Sequence, residues 1–255
     1  MLAKKLVKMG LHGKTLKKLG LGLTEQEELN LVLGAIDRRL AGQKLCPEWG
    51  RDAFLRRLAE NAKILDVGCG NNSPQLTKAL LPGCHYVGLD IGDYNQKHPE
   101  LADRYVITSP EAFTRAIADL GQDFDAVVSS HNLEHCDDRD GVLANMLGAL
   151  KPGGMLYLAF PSADSVTYPS RAGTLNYHDD KSHQRQPPDF GEAMTTISLA
   201  GFDIVYASSR YQPAVRWLIG LYHERRSAAN KSVDAETWAL WGFEAIIWAR
   251  KRPVA

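Results

Sequence analysis

A doubly wound α/β sheet is the fold class that this chain of 255 residues predicts, and three observations predict it. Short apolar runs alternate with segments of helical period, which is how a sequence looks when strands and helices take turns. The first run, 64–67, is closed by Gly68 and Gly70 and followed by Pro74, a residue suited to the first turn of a helix. A second run, 85–89, ends on the single carboxylate of Asp90. Two glycines flanking one residue let the backbone turn sharply and let a ligand come close to it, with helix N–H groups behind to receive negative charge.

The elements follow in order. Residues 1–22 carry Lys4, Lys5, Lys8, Lys14, Lys17 and Lys18, with no acid before Glu25, and Leu2, Leu6 and Met9 fall at helical spacing. This basic arm reads either as a solvated or partner-packed segment or as a peripheral foot on an anionic membrane surface. Thr24 and Glu27 form a capping-box pattern, and Leu29, Val32, Leu33, Ile36 and Leu40 continue a helix to about 41. Another helix is expected over 49–60. After the strands at 64–67 and 85–89 come strands at 104–108, from 124, at 155–160, 202–207 and 243–249. A helix over 139–150 is expected to stop at Lys151-Pro152-Gly153-Gly154, where proline halts the helix and the glycines permit a turn.

Two segments exceed a minimal version of such a fold. Residues 162–188 hold Tyr168, Arg171, Asn176, Tyr177, His178, Asp179, Asp180, Lys181, His183 and Arg185, and residues 209–240 hold Trp217, Tyr222, His223, Arg225, Arg226 and Trp238. Long connections inside a compact domain serve as lids or interfaces. The domain reading is therefore an N-terminal helical extension or cap over 1–60, and one α/β domain over 61–255 with insertions at about 162–188 and 209–240.

The totals exclude several classes. Lysine plus arginine equals aspartate plus glutamate at 30 each, so no global field draws the chain to nucleic acid or membrane. Cys46, Cys69, Cys84 and Cys136 form no Cys-x-x-Cys pair, which argues against a zinc ribbon or disulfide scaffold and suits reduced thiols in a cytoplasm. No stretch approaches a membrane span or a signal h-region. Asp90 stands where an acid would hydrogen-bond a ribose diol, which suggests a bound nucleoside. A dinucleotide fingerprint needs a third glycine where this chain has Ser73, so the pyrophosphate reading loses ground.

Leu65-Asp66-Val67-Gly68-Cys69-Gly70 resembles the first motif of the class I S-adenosylmethionine (SAM) dependent methyltransferases, and Asp90 resembles their ribose-binding acid. The run from Phe124 through Ser129-Ser130-His131-Asn132-Leu133-Glu134-His135 is similar to their fourth-strand motif, and Leu150-Lys151-Pro152-Gly153-Gly154-Met155-Leu156 to their turn into the fifth strand. The resemblance spans roughly 63–160. It implies a Rossmann-like seven-stranded sheet, mostly parallel with one antiparallel strand, and it implies SAM as cofactor with S-adenosylhomocysteine as product. It assigns the cofactor to Asp66, Gly68, Cys69, Gly70, Asp90, Ile91, Ser109 and His131. Asp66 reads equally as a brace for the glycine turn, and Cys69 as a packed small residue.

For catalysis the candidates are His131, His135 and His178, since an imidazole can take the proton of a hydroxyl acceptor. Some quinone-pathway O-methyltransferases carry Glu-x-x-Glu-His here with a divalent metal; this chain has His131 in place of the first glutamate. His178 and His183, five apart in a loop, specify no metal geometry, so no metal ligand is assigned. The polar content of 162–188 suits a hydroxyl or amine of a sugar, nucleotide-sugar or glycan precursor. That expectation agrees with a weak likeness of Tyr168-Pro169-Ser170-Arg171, Thr174-Leu175-Asn176-Tyr177 and 237–243 to bacterial methyltransferases associated with surface-polysaccharide genes. The rivals are a non-catalytic SAM-binding scaffold, which cofactor turnover would separate from an enzyme, and a nucleic-acid methyltransferase, against which stand the neutral charge and the lack of an Asn-Pro-Pro-Tyr-like motif. A homo-oligomer is compatible with this sequence.

Overall fold

The computed structural model describes residues 48–70, 72–94 and 96–253. The basic arm and the 24–41 helix lie outside the described residues. Contact clustering divides the chain into two compact units.

The larger unit, residues 49–211 and 242–253 of those described, is built on a seven-stranded sheet of order β3-β2-β1-β4-β5-β7-β6. Its elements are α1 (Arg51–Leu55), β1 (Lys63–Val67), α2 (Ser73–Leu80), β2 (His85–Asp90), β3 (Arg104–Ile107), α3 (Phe113–Asp119), β4 (Phe124–Ser130), α4 (Arg139–Ala149), β5 (Leu150–Pro161), α5 (Phe190–Leu199), β6 (Phe202–Ser208) and, last in the sheet, β7 (Glu244–Lys251). Strands β1 to β5 run parallel, and β7 pairs antiparallel with both β5 and β6. The strand order reverses between β1 and β4, so the carboxyl ends of these strands flank a switch point where open α/β sheets bind ligands.

Both faces are covered, as strands with apolar residues on each side require. Leu65, Val67, Val127, Ile247 and Ala249 point to one core, with Phe113, Ile117, Val142, Met146 and Ile197 from α3, α4 and α5. Ile64, Ala126, Val128, Ile246 and Trp248 point to the other, with Phe54 and Leu55 of α1. Trp248 is fully buried; its indole N–H donates to the carbonyl of Trp49 at 2.7 Å, and Trp49 stacks on Tyr206 with centroids 4.4 Å apart. An aromatic of that size contributes on the order of 4 kcal/mol by burial.

Two expectations need correction. The helix expected over 49–60 ends at Leu55: Arg57 and Leu58 bond back only three residues, to Phe54 and Leu55, and the chain leaves through turns toward β1. The segment 151–154 is extended rather than a free turn. It belongs to β5, where Leu150 pairs with Phe124 before a register shift, and Gly153 takes φ +80° to carry the irregularity.

The described part of the second unit is Glu48 and Gln212–Trp241. The 209–240 segment, read from sequence as a lid-like insertion, is largely a 17-residue helix, α6 (Ala214–Asn230), followed by α7 (Thr237–Trp241). Gly220 lets the two come together, since a Cβ there would lie 2.5 Å from the carbonyl oxygen of Glu236. No helix among the described residues is long and apolar enough to cross a membrane.

Candidate active site

The glycine turn is built from beneath. Asp66, buried on β1, accepts through Oδ2 from Arg51 Nη2 (2.9 Å), Ser73 Oγ (2.6 Å) and the Tyr86 hydroxyl (2.9 Å). Arg51 also donates to Ser73 Oγ and Thr77 Oγ1, so α1, β1, α2 and β2 share one polar knot. That makes Asp66 the brace of the turn, which was one of its two readings. Above it, Gly68 has φ +70° and Gly70 φ +56°, backbone that favours glycine. The side chain of Asn132 fills the space beside Gly68, where a Cβ would lie 2.3 Å from Asn132 Oδ1; the corresponding space beside Gly70 is open for 4 Å.

Cys69 packs under the turn with its sulfur against Gly88. Burial pushes its thiol up to about 12, with the Asp66 charge adding to the effect, so it is no nucleophile.

Asp90 ends β2 directly across from the turn. Its Oδ2 accepts from Gly70 N and its Oδ1 from Ile91 N, both at 2.7 Å, and the Tyr94 hydroxyl donates to it. Burial raises its pKa above the usual carboxylate value, against the pull of these donors. Gln96 Nε2 donates to Gly70 O at 2.9 Å, drawing the 91–96 loop onto the turn beside a recess of about 470 Å³ lined by Asp93, Gln96, Pro99, Tyr105 and Ile107. Ile91 is exposed at the rim. The Ser109 hydroxyl accepts from Ala112 N to cap the turn Pro110–Ala112 and bonds Glu111.

β4 delivers the second half of the site. His131 has φ +51°, and its ring lies between two carboxylates, Nδ1 3.1 Å from Glu134 Oε1 and Nε2 2.9 Å from Glu244 Oε1. Burial opposes its charge, but the two carboxylates overcome it and lift its pKa to about 10. A ring protonated on both nitrogens has no lone pair to offer, so this arrangement ties β4 to β7 and lends no support to a base at His131.

Beyond it, the turn Leu133–His135 carries the fully buried Glu134 and the half-buried His135. Arg139 locks the 162–188 segment onto this turn: it donates to Leu133 O, Glu134 O, Gln184 O, Gln186 O and the Tyr177 hydroxyl, while Gln184 N donates to Glu134 O at 2.7 Å. His178 lies apart from this turn. It stands exposed, its ring edge-on to Tyr177, and the histidine of that segment that meets His135 is His183, with ring centroids 4.9 Å apart. Ligand atoms of Glu134, His135 and His183 lie within 4.8 Å of one another.

Sequence reasoning did not single out Arg51, Tyr94, Gln96, Asn132, Arg139 or Glu244. Only Asn132 carried a local signal, since it lies inside the fourth-strand motif; Glu244 meets His131 across 113 positions of sequence, where no local pattern reaches.

The parallel sheet with an inserted antiparallel β7, and a glycine turn facing a carboxylate across adjacent strand ends, define a Rossmann-like nucleoside-binding fold of the methyltransferase type. Residues 65–156 match the sequence family described as methyltransferase domain. The chain is 32% identical over 119 residues to a ubiquinone biosynthesis O-methyltransferase of Mesorhizobium japonicum, covering 46% of this chain and 47% of that one. It is 29% identical over 120 residues to the protein of the same name from Brucella melitensis, covering 46% and 48%. The chain thus spans about half the length of these relatives. The solved structure of an S-adenosylmethionine dependent methyltransferase from Mesorhizobium loti superimposes with a TM-score of 0.53 at 18% identity, over 78% of this chain and 96% of that one, a likeness of fold. Residues 65–156 thus carry a methyltransferase domain, set in a fold shared with solved SAM-dependent methyltransferases.

The residues fit SAM, the cofactor that a methyltransferase domain of this fold uses. Asn72 Oδ1, Gln96 Oε1 and Asn132 Nδ2 are buried without hydrogen-bond partners, all three next to the glycine turn, which is the condition of a wall shaped for a polar ligand. Gly70 offers open backbone, and Asp90 offers its carboxylate once the Tyr94 hydroxyl gives way.

Proposed function

We propose that this protein is a SAM-dependent methyltransferase that methylates a hydroxyl of a small polar acceptor. The observation that carries this reading is the junction of Gly70 and Asp90, bonded at 2.7 Å across adjacent strand ends and surrounded by unpartnered buried polar atoms. The Gly68–Gly70 backbone would receive the methionine end of the cofactor, Asp90 the ribose hydroxyls, and Ile91 one face of the base. When bound, SAM supplies an electrophilic methyl group on a sulfonium. The chain contributes alignment and exclusion of water, through the 162–188 segment pinned by Arg139.

The acceptor proton needs a sink. His135 Nδ1 faces Ser182 Oγ at 3.0 Å, and Ser182 spends its own proton on Asp180 at 2.6 Å, so His135 must donate from Nδ1 and keep the Nε2 lone pair free to take a proton. Oxygen as the methylated atom is supported by the O-methyltransferase names of the relatives. A sugar or nucleotide-sugar as the acceptor rests on the hydroxyl and carboxylate content of 162–188 alone, and no relative carries such a name. The free thiols of Cys69, Cys84 and Cys136 suit a reducing, cytoplasmic setting.

Calorimetry with SAM and S-adenosylhomocysteine tests the cofactor, followed by transfer of labelled methyl to nucleotide-sugars and to phenolic acceptors. Asp90→Ala removes a charged acceptor of hydroxyl hydrogen bonds and is expected to weaken SAM binding by roughly tenfold to a hundredfold. Unchanged affinity in that variant removes the ribose assignment; binding with no transfer to any acceptor favours a SAM-sensing scaffold over an enzyme.

A further inference from the structure

Helix α6 wears its apolar side chains on the outside. Of its 17 residues the buried ones are Val215, Gly220, His223 and Ser227, so past the first turn its inward face is small or polar. That face suits what it meets: Gly220 admits the Glu236 carbonyl, and Ser227 Oγ stands 3.4 Å from the hydroxyl of Thr237 in α7. Leu218, Leu221 and Tyr222 face outward instead, 46%, 50% and 52% exposed. With the exposed Arg225 they recur at i, i+3, i+4 and i+7, which is one stripe of a helix. Arg226 borders the stripe, and Glu224, the one acid of the helix, is half-buried and lies about 120° around from Leu218.

A surface helix ordinarily turns its apolar stripe to the core. Packing against α7 leaves this one outside, so burial among the described residues gives no reason for it. A contiguous apolar stripe with a polar border marks a contact surface, and its charge says what it contacts. The compact unit that holds α6 takes in residues 1–48 and 212–241, which carry 13 lysines and arginines against 8 aspartates and glutamates in a chain that is neutral overall. The matching surface is therefore negative. A second copy of this chain would bring the same arginines against each other, with no acid on the stripe to receive them. A single convex helix also fits a protein only where that protein supplies a groove, whereas a bilayer moulds itself to the ridge.

We infer that α6 is a contact surface for an anionic lipid bilayer, lying along the interface with Leu218, Leu221 and Tyr222 among the upper acyl chains and Arg225 and Arg226 at the lipid phosphates. Tyr222 suits that depth, since its ring is apolar and its hydroxyl prefers a wet partner. No described helix is long and apolar enough to cross a membrane, so α6 rests on the surface. Three apolar side chains alone hold a bilayer weakly, and each arginine near an anionic surface adds roughly fivefold, so binding is reversible and follows lipid charge.

The test is sedimentation of the full chain with vesicles of mixed phosphatidylglycerol and phosphatidylcholine, and of phosphatidylcholine alone, in the absence of SAM, so that its result is independent of the methyl-transfer reading. Binding is expected to the phosphatidylglycerol vesicles, to be roughly tenfold or more weaker on phosphatidylcholine, and to fall as salt is raised. Leu218→Ser/Leu221→Ser and, separately, Arg225→Glu/Arg226→Glu are each expected to weaken it roughly tenfold or more. Val205→Ser, at an exposed apolar position on β6, is expected to leave it unchanged. Circular dichroism checks the fold of each variant, and the arginine pair carries the test if the leucine pair fails to fold. Absence of binding to phosphatidylglycerol vesicles by the folded wild-type chain overturns the surface and leaves the stripe to a protein partner. Binding that both α6 variants leave intact overturns it in favour of the basic arm. A dimer seen by sedimentation velocity that Leu218→Ser/Leu221→Ser dissolves overturns it in favour of a second copy.

Discussion

Gly68 and Gly70 share a left-handed backbone but not a neighbourhood, and replacing each with alanine separates stability from ligand binding. In Gly68→Ala the new Cβ would sit 2.3 Å from Asn132 Oδ1, 2.4 Å from its Cγ and 2.5 Å from its Cβ. Rotation about χ1 moves the first two atoms away but not the third, so backbone must shift. A non-glycine residue in the left-handed region costs about 1–2 kcal/mol, and overpacking adds about 1–3 kcal/mol, for a total of about 2–5 kcal/mol. Gly70→Ala meets nothing within 4 Å and carries only the backbone share. Any gain from stiffening the unfolded chain is common to both and cancels in the comparison. With a urea m-value of about 3 kcal/mol/M, the Gly68 variant should unfold at a midpoint lower by about 0.7–1.7 M, and the Gly70 variant by about 0.3–0.7 M. Calorimetric titration with SAM should show the reverse order of interest: Gly70→Ala puts a methyl group into the open face of the turn and loses affinity while staying folded. Equal denaturation midpoints for the two variants would refute the reasoning, because the contact with Asn132 is the difference between them.

Further outcomes follow from the same coordinates. Arg51→Ala leaves the buried Asp66 without its cation and is expected to cost about 3 kcal/mol in thermal or urea unfolding; Arg51→Lys should recover only part of it, since all three contacts are made from Nη2, which lies beyond the end of the shorter lysine side chain. For Asp179, burial pushes the pKa up, but the Ser170 hydroxyl and the N–H groups of Arg171, Asn176 and Leu175 outweigh it and hold the group below the usual aspartate value. Its contribution is therefore complete above the unfolded aspartate pKa of about 3.9 and fades as pH falls through the lower folded value. Hydrogen exchange over 162–188 should accelerate in that acid window in the wild type, and already at neutral pH in Asp179→Ala. Cys69, with its thiol held at about 12, should resist iodoacetamide at pH 8 in the native protein and react on unfolding; brisk native labelling at this position would contradict its burial.

The strands were legible because each is a short apolar run with both faces buried, and β1, β2 and β4 stand within a residue or two of their expected bounds. Asp90 was legible for a related reason: the end of a strand beside a glycine turn is a position that sequence order alone specifies. What escaped was pairing across the sheet. His131 looked like a base because its own segment shows only one acid three residues on; the second, Glu244, arrives because β7 inserts beside β5 and places Glu244 opposite Pro161. His178 and His183 are alike by residue type, and the difference between them is made by Tyr177 and Arg139, which fix how the segment folds back. The short α1 carried no visible stop, because its end is set by the descent into β1 and by no capping residue.

The place of β7 has a consequence for biosynthesis. It is the last strand to be translated, yet it fills the gap between β5 and β6, giving each its antiparallel partner. A nascent chain that has reached residue 243 therefore holds five parallel strands with β5 open along its length and β6 without a mate, and the aromatic nest of Trp49 and Tyr206 lacks Trp248. Such an edge is a template for association with other chains. Until β7 is made that edge stays open, and the eight residues of that strand close the sheet in one step.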